Sequence, residues 1–136
     1  METINRQEII SSLLKYLPEV ANSLNKLVNN LQSLIDNDKS KDQKFLSIIY
    51  SELNLLLPML HSLIDETKIK PEEAERDQVL HMYLESLKNI IIGISLMVEW
   101  ISNNDESEDK LKNAVNSLFV AGQMIIDLVN KITQNE

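Results

Sequence analysis

Four stretches of the chain repeat one ladder of apolar residues, in which a single position alternates with an adjacent pair at heptad spacing. The first ladder reads Ile10, Leu13/Leu14, Leu17, Val20/Ala21, Leu24, Leu27/Val28, Leu31 and Leu34/Ile35. Three apolar positions in seven form a stripe that faces the core of a helical domain and is wider than a coiled-coil seam. The pattern therefore predicts long amphipathic helices, and no alternating strand pattern occurs along the chain.

The other three ladders follow the same rule with one fault. The third runs from Leu80 to Ile101 and the fourth from Leu111 to Ile132, whereas the second carries Glu52 at a ladder position. Turn residues and helix caps predict helices at about 4–36, 42–67, 72–103 and 108–134. Because the connections are short, consecutive helices should be antiparallel neighbours. The predicted fold is an all-α, antiparallel up-down-up-down four-helix bundle.

Prolines and glycines interrupt different helices. Pro18 and Pro58 fall inside the first two predicted helices, where each removes a backbone hydrogen bond and favours a kink. Gly122 occupies a ladder position in the fourth helix, where the missing side chain predicts a close approach of another helix. Gly93 lies off the ladder of the third helix. At these four positions, the alternative to a packing role is a hinge or a gap for a ligand.

Length, charge and cysteine content narrow the class of protein. The 136 residues form one predicted domain, 1–136, that is long enough to bury a sizeable core. Zero cysteines exclude a disulfide framework and thiolate metal sites and favour a reducing compartment. No signal-peptide pattern or long uncharged apolar run occurs, so we expect a cytoplasmic protein without membrane insertion. The net charge of −8 argues against general nucleic-acid binding.

Apolar residues outside the ladders indicate a partner. A bundle helix needs one buried stripe, yet the second and fourth predicted helices carry further large apolar residues one heptad apart. The candidate partner-binding residues are Tyr50, Leu57, Ile64, Phe119 and Ile126. They predict a small non-enzymatic interaction or adaptor module that packs helix on helix, as a homodimer or with another protein's helix. The alternative explanation of these extra apolar residues is that the second helix is the most central one, so that more of its surface is buried in the core.

Motifs for phosphate binding, nucleophilic catalysis and zinc hydrolysis are missing from the chain, so no cofactor is expected. One local motif nevertheless offers an enzymatic alternative, since the segment from Arg76 to Tyr83 reads Arg-Asp-Gln-Val-Leu-His-Met-Tyr. It resembles the Arg-x4-His-x-Tyr signature of HEPN-type ribonucleases, small all-α proteins that include toxins of toxin–antitoxin pairs. The resemblance implies metal-independent RNA cleavage. Arg76 would stabilise phosphate charge, His81 would act as acid and base, and Tyr83 would be a modifiable tyrosine beside the site.

Both histidines have a carboxylate one helical turn away, which predicts a second alternative. His61 precedes Asp65, and His81 precedes Glu85, by four residues, so each pair shares a helix face. If the antiparallel second and third helices place the pairs side by side, the four side chains form a nitrogen and oxygen site for zinc or a similar ion. The Glu-x-x-His motif of di-iron bundles is missing from the sequence.

Overall fold

The computed structural model describes residues 6–36, 43–102 and 108–135, and 96% of them are helical. This described part of the chain contains no β-strand, so the predicted all-α fold class is confirmed. Five helices pack against one another within it. They are α1 (Arg6–Asp36), α2 (Gln43–Thr67), α3 (Pro71–Glu75), α4 (Gln78–Ser102) and α5 (Glu108–Asn135).

The ends of the long helices follow the turn chemistry of the sequence. α1 and α2 end where the sequence predicts, and α5 ends one residue later. The predicted helix starts at 4 and 42 and the predicted end at 103 lie outside the described residues. α1 and α2 each continue as helices through their internal prolines, Pro18 and Pro58.

The prediction of one continuous third helix is wrong, because the chain is divided at Arg76 and Asp77 into the short α3 and the long α4. The Asp77 carboxylate accepts hydrogen bonds from the backbone N–H groups of Val79 (3.0 Å) and Leu80 (3.4 Å). These donors belong to the first turn of α4 and have no partner inside the helix. An aspartate that satisfies them is a favourable N-cap, so the division is a capped helix start.

Asp77 also joins the starts of two helices. Arg6, in the first turn of α1, donates its Nε–H to the Asp77 carboxylate and forms an ion pair with it. The guanidinium holds the pKa of Asp77 below its usual value, against the opposing effect of partial burial. The beginnings of α1 and α4 are therefore tied together through one side chain.

The helices follow the order α2, α1, α5, α4 across the molecule. α1 packs against α2 and α5, α5 packs also against α4, and α3 contacts α4. In the described residues, no Cα atom of α2 lies within 8 Å of a Cα atom of α4. These two helices meet near their connection, where Thr67 Oγ1 and Tyr83 Oη are hydrogen-bonded at 3.0 Å. The expectation that all consecutive long helices are close neighbours is therefore wrong for this pair.

Contacts between α4 and α5 show that the two helices run in opposite directions. Asn89 Nδ2 donates to Met124 Sδ at 3.5 Å, and further along α4 the Glu99 carboxylate lies 3.7 Å from Lys110 Nζ. Residue numbers that rise along α4 thus meet numbers that fall along α5. The predicted antiparallel arrangement holds for this pair.

Buried apolar side chains from all five helices form one hydrophobic cluster. The ladder residues supply most of it, and Tyr83 and Met97 of α4 are among its largest fully buried members. Burial of such side chains is the main favourable contribution to folding. Glu52 is the exception on α2, since its Oε2 is buried and has no hydrogen-bond partner among the described residues. The fault in the second ladder therefore persists in the folded protein.

The two glycines have roles opposite to those that the ladder predicts. A Cβ added at Gly93 would lie 2.6 Å from Leu118 Cγ and 3.2 Å from the carbonyl oxygen of Ala114. At Gly122, an added Cβ would meet nothing within 4 Å among the described residues. The prediction of a close approach at Gly122 is wrong, because space lies beside it, whereas Gly93 permits α4 and α5 to come together.

Candidate interaction surfaces

One flank of α2 carries three large apolar side chains at seven-residue spacing. Tyr50, Leu57 and Ile64 are 50%, 45% and 47% exposed. On the opposite flank, the Glu66 carboxylate accepts a hydrogen bond from Tyr16 of α1, which raises the pKa of this tyrosine. Because helical periodicity puts Glu66 and the trio on different sides of the buried stripe, the trio lies on the flank that points away from α1.

α4 has a matching flank on its side away from α5. Ile91 and Val98 are 58% and 45% exposed, and Leu84 is partly buried. Asn89 and Gly93, which contact α5, lie on the other side of the buried stripe. The ladder places Ile91 and Val98 in the core as second members of its adjacent pairs. That placement is wrong because α2 does not close against this flank.

The hydrogen bond between Thr67 and Tyr83 sets the relative heights of the two flanks. From this point, the two helices run in opposite directions, and seven residues span about 10.5 Å along each of them. Counting along both helices from this bond places three pairs of these residues within two residues, or about 3 Å, of the same height: Ile64 and Leu84, Leu57 and Ile91, and Tyr50 and Val98. We name these six residues the α2–α4 face.

Phe119 and Ile126 lie on a different side of the molecule. They are 51% and 46% exposed, and they sit on the flank of α5 that faces α1. In the order α2, α1, α5, α4, this flank is opposite the α2–α4 face. The structure thus brings Tyr50, Leu57 and Ile64 together but separates them from the other two predicted partner residues, so the candidates form two surfaces.

A groove between α1 and α5 surrounds Phe119. One cavity of about 250 Å³ lies between residues 21–28 of α1 and 118–126 of α5. A second, of about 540 Å³, lies between 25–35 and 112–119. Rising numbers on α1 match falling numbers on α5, so these helices are also antiparallel. Asn25, Val28 and Phe119 line both cavities and join them into what we name the α1–α5 groove.

The residues of the Arg-x4-His-x-Tyr motif do not form one cluster. Arg76 is the exposed C-cap of α3, and His81 is exposed in the first turn of α4. Tyr83 is 1% exposed and hydrogen-bonded to Thr67, and burial raises the pKa of its hydroxyl. Two residues apart on a helix, His81 and Tyr83 point to nearly opposite sides. The arrangement is that of a core tyrosine and a surface histidine.

The four residues of the predicted metal site are also separated. His61 and Asp65 are exposed on α2, and Glu85 lies 3.6 Å from Lys88 Nζ on α4. No group of three or more His, Cys, Asp or Glu side chains that could hold a metal ion exists among the described residues, which include all four candidates. In this structure, His61, Asp65, His81 and Glu85 therefore do not come together as one set of metal ligands.

α2 is the one described helix that is long and apolar enough to cross a bilayer, judged by length and composition. The mean hydropathy of its most apolar 18-residue window is 1.3, and 28% of that window is buried. Its buried stripe nevertheless fits the core tightly, since Ile49, Leu56 and Leu63 are 0% exposed. The remaining apolar surface of α2 includes five large side chains that are 40–60% exposed: Ile48, Tyr50, Leu55, Leu57 and Ile64.

Sequence reasoning missed two features of these surfaces. The exposure of Ile91 and Val98 could not be predicted, because their spacing in the sequence is that of core residues. The amide side chains along α1 were also missed, although Asn22, Asn25 and Asn29 recur at intervals of three and four residues, which places them on one side of a helix. Comparison with protein-family models, curated proteins and solved structures found no match to this chain.

Proposed function

We propose that this chain is a non-enzymatic helical interaction module that pairs with a second copy through the α2–α4 face. In the proposed architecture, α1, α2, α4 and α5 are an antiparallel four-helix bundle that is open along the edge between α2 and α4. The observation that carries the proposal is a row of half-exposed apolar side chains on two helices whose Cα atoms stay more than 8 Å apart. Contiguous apolar surfaces of this kind mark interaction sites.

Charge supports self-association at this face. Each copy has a net charge of −8, so two copies repel one another wherever their acidic residues meet. All six residues of the α2–α4 face are uncharged. A two-fold axis near the middle of the face, at Leu57 and Ile91, would place α2 of each copy against α4 of the other. Both copies would then contribute the same surface to the interface.

The size of the face sets the expected affinity. Full burial of a large apolar side chain contributes about 1.5–3 kcal/mol, so a half-exposed one gains about 1 kcal/mol when a partner covers it. Ten such side chains and two partly buried leucines in a dimer gain about 10–12 kcal/mol, and association costs at least about 4 kcal/mol. The difference is at most about 8 kcal/mol, which corresponds to a dissociation constant of about 1 μM or weaker. We therefore expect a reversible dimer.

Ile91→Glu tests the face, and Ile92→Glu is its matched control. These neighbouring isoleucines are 58% and 45% exposed but point to different sides of α4. We expect the wild type and Ile92→Glu to sediment at masses that approach twice the 15.6 kDa of one chain as concentration rises. Ile91→Glu should remain a folded monomer, because a dimer would bury a carboxylate from each copy and weaken association about 100-fold or more.

On α2, Leu57→Glu and Leu55→Glu form a second matched pair, because these leucines are 45% and 60% exposed and lie on opposite flanks of the helix. We expect only Leu57→Glu to abolish the dimer. A wild type that stays monomeric at about 100 μM, far above the expected dissociation constant, contradicts the proposal. Binding to phosphatidylcholine vesicles that Ile91→Glu abolishes and Ile92→Glu preserves would instead assign the face to a membrane.

A further inference from the structure

The α1–α5 groove is space that the fold leaves open. Its two cavities, of about 250 and about 540 Å³, adjoin one another and share Asn25, Val28 and Phe119 as lining residues. Gly122 contributes to this space, since an added Cβ there would meet no atom of the described residues within 4 Å. The groove also lies on the side of the molecule opposite the α2–α4 face, so a dimer through that face would leave it accessible.

The groove is neutral although the chain is acidic. Of the described residues that line the two cavities, Lys112 at one end is the single charged one. Asp36 of α1 lies at the same end, where it accepts a hydrogen bond from Gln32, so a carboxylate accompanies the lysine there. The other charged residues of α1 do not line either cavity: Arg6, Glu8, Lys15, Glu19 and Lys26. A neutral surface on a chain of net charge −8 neither attracts a strongly basic partner nor binds phosphate groups. The occupant that matches it is uncharged.

Amide side chains line both walls of the groove. Asn22, Asn25 and Asn29 follow one another on α1, and Asn116 and Gln123 lie on α5. Gln32, a sixth lining amide, donates to Asp36 Oδ1 at 2.9 Å, whereas none of these five forms a side-chain hydrogen bond within the described part of the chain. Each amide offers one carbonyl acceptor and two N–H donors, so both walls present donors and acceptors next to an apolar floor.

We propose that the α1–α5 groove binds an extended, uncharged peptide segment with large apolar side chains. An extended backbone carries free N–H and C=O groups that need donors and acceptors together, and the two rows of amides supply both. A helical partner satisfies its own backbone, and an acyl chain has no polar groups along its length, so neither would use the amides. The open space beside Gly122 receives an apolar side chain of the segment.

The length of the groove sets the length of the segment. The lining residues of α1 run from 21 to 35, which is about 21 Å of helix at 1.5 Å per residue. An extended chain rises about 3.3 Å per residue, so the groove accommodates about six residues. Successive side chains of an extended segment alternate, which turns every second one toward the apolar floor.

The probe for this site is a library of random eight-residue peptides displayed on phage and selected on the full chain. We expect the enriched peptides to be uncharged, with large apolar residues at alternate positions. One enriched peptide, synthesised with blocked ends and a fluorophore, then reports affinity by fluorescence anisotropy. Failure to enrich any sequence, or enrichment of charged ones, overturns the proposal.

Gly122→Phe fills the groove, and Val120→Phe is its control on the side of α5 that faces away from the groove. We expect Gly122→Phe to weaken binding of the selected peptide at least tenfold and Val120→Phe to leave it unchanged. The double change Asn25→Leu with Asn29→Leu removes two amides from an exposed wall and should weaken binding about tenfold. An occupant that uses only apolar contacts would bind this double variant equally or more tightly, which would overturn the extended-peptide proposal.

The site is independent of the proposed dimer, and each can fail alone. Ile91→Glu should bind the peptide as the wild type does, and Gly122→Phe should keep the wild-type sedimentation behaviour. Should Gly122→Phe not fold, the surface variant with Asn25→Leu and Asn29→Leu still tests the site. Unchanged affinity in that variant contradicts the proposal whatever the oligomeric state of the protein.

Discussion

α5 packs against α4 on one side and α1 on the other, and the two interfaces differ in how closely they fill space. At the α4 interface, Gly93 lies flush against Leu118, a large side chain that is 0% exposed. At the α1 interface, Gly122 and Ala21 line the same cavity, and a Cβ added at Gly122 would meet nothing within 4 Å among the described residues. A glycine in contact with a large side chain gives close packing, whereas a glycine with no side chain in contact leaves a gap. Since both interfaces contain a glycine, the residue type alone does not predict which interface is closely packed.

Gly93→Ala should produce the largest change at these interfaces. The new methyl group would overlap Leu118 Cγ and approach the Ala114 carbonyl, so α4 and α5 must separate. Overpacking of this kind costs about 1–3 kcal/mol, which exceeds the gain of up to about 1 kcal/mol from the higher helix propensity of alanine. We expect a loss of about 1–2 kcal/mol in urea unfolding. A more stable variant would contradict the close approach of the two helices.

Asp77→Asn should lower the free energy of unfolding by an intermediate amount. It should not change the difference in packing between the α4 and α1 interfaces of α5. Asparagine keeps the N-cap of α4 but loses the ion pair with Arg6, which connects the two helices that flank α5. Because Arg6 is half-exposed, we expect a loss of about 1 kcal/mol or less at pH 7. When Asp77→Asn is combined with Gly93→Ala or with Gly122→Ala, it should lower the free energy of unfolding by the same amount in both double variants.

The same ion pair predicts a pH dependence. The pKa of Asp77 is lowered in the folded protein relative to its usual value of 3.8. Its contribution is therefore fully present above about pH 4 and is lost as pH falls through the folded-state pKa. Urea unfolding at a series of pH values should show the wild type converging on Asp77→Asn below pH 4. A stability difference that does not shrink as the pH falls from 4 to 2 would contradict the role of the carboxylate charge.

Gly122→Ala should have the smallest effect and the opposite sign. Its methyl group enters open space, and alanine is favoured over glycine in a helix by up to about 1 kcal/mol. We expect stabilisation of about 0.5–1 kcal/mol in the same unfolding experiment. Destabilisation would mean that the α1 interface is as closely packed as the α4 interface, and it would remove the structural basis of the groove.

The candidate surfaces could be predicted only in part. Tyr50, Leu57 and Ile64 were identified correctly as one stripe, because seven-residue spacing places residues on one side of any α-helix. That Phe119 belongs to a different surface could not be read from its position in α5, since the order of the helices in space comes from contacts between distant residues. Ile91 follows Ile90 as the second member of an adjacent ladder pair. The ladder therefore predicts that Ile91 is buried as Ile90 is, although it is 58% exposed.

Local chemistry, readable along the chain, was enough to establish the helices and the stripe that each one buries. Leu24, Leu56 and Leu118 are 0% exposed where the ladder predicts burial, since helical periodicity depends on near neighbours. The break at Asp77, the opposite roles of Gly93 and Gly122, and the exposure of Ile91 became evident in the folded protein alone. Each of these depends on how far apart two helices lie, and that distance is set by side chains remote in sequence.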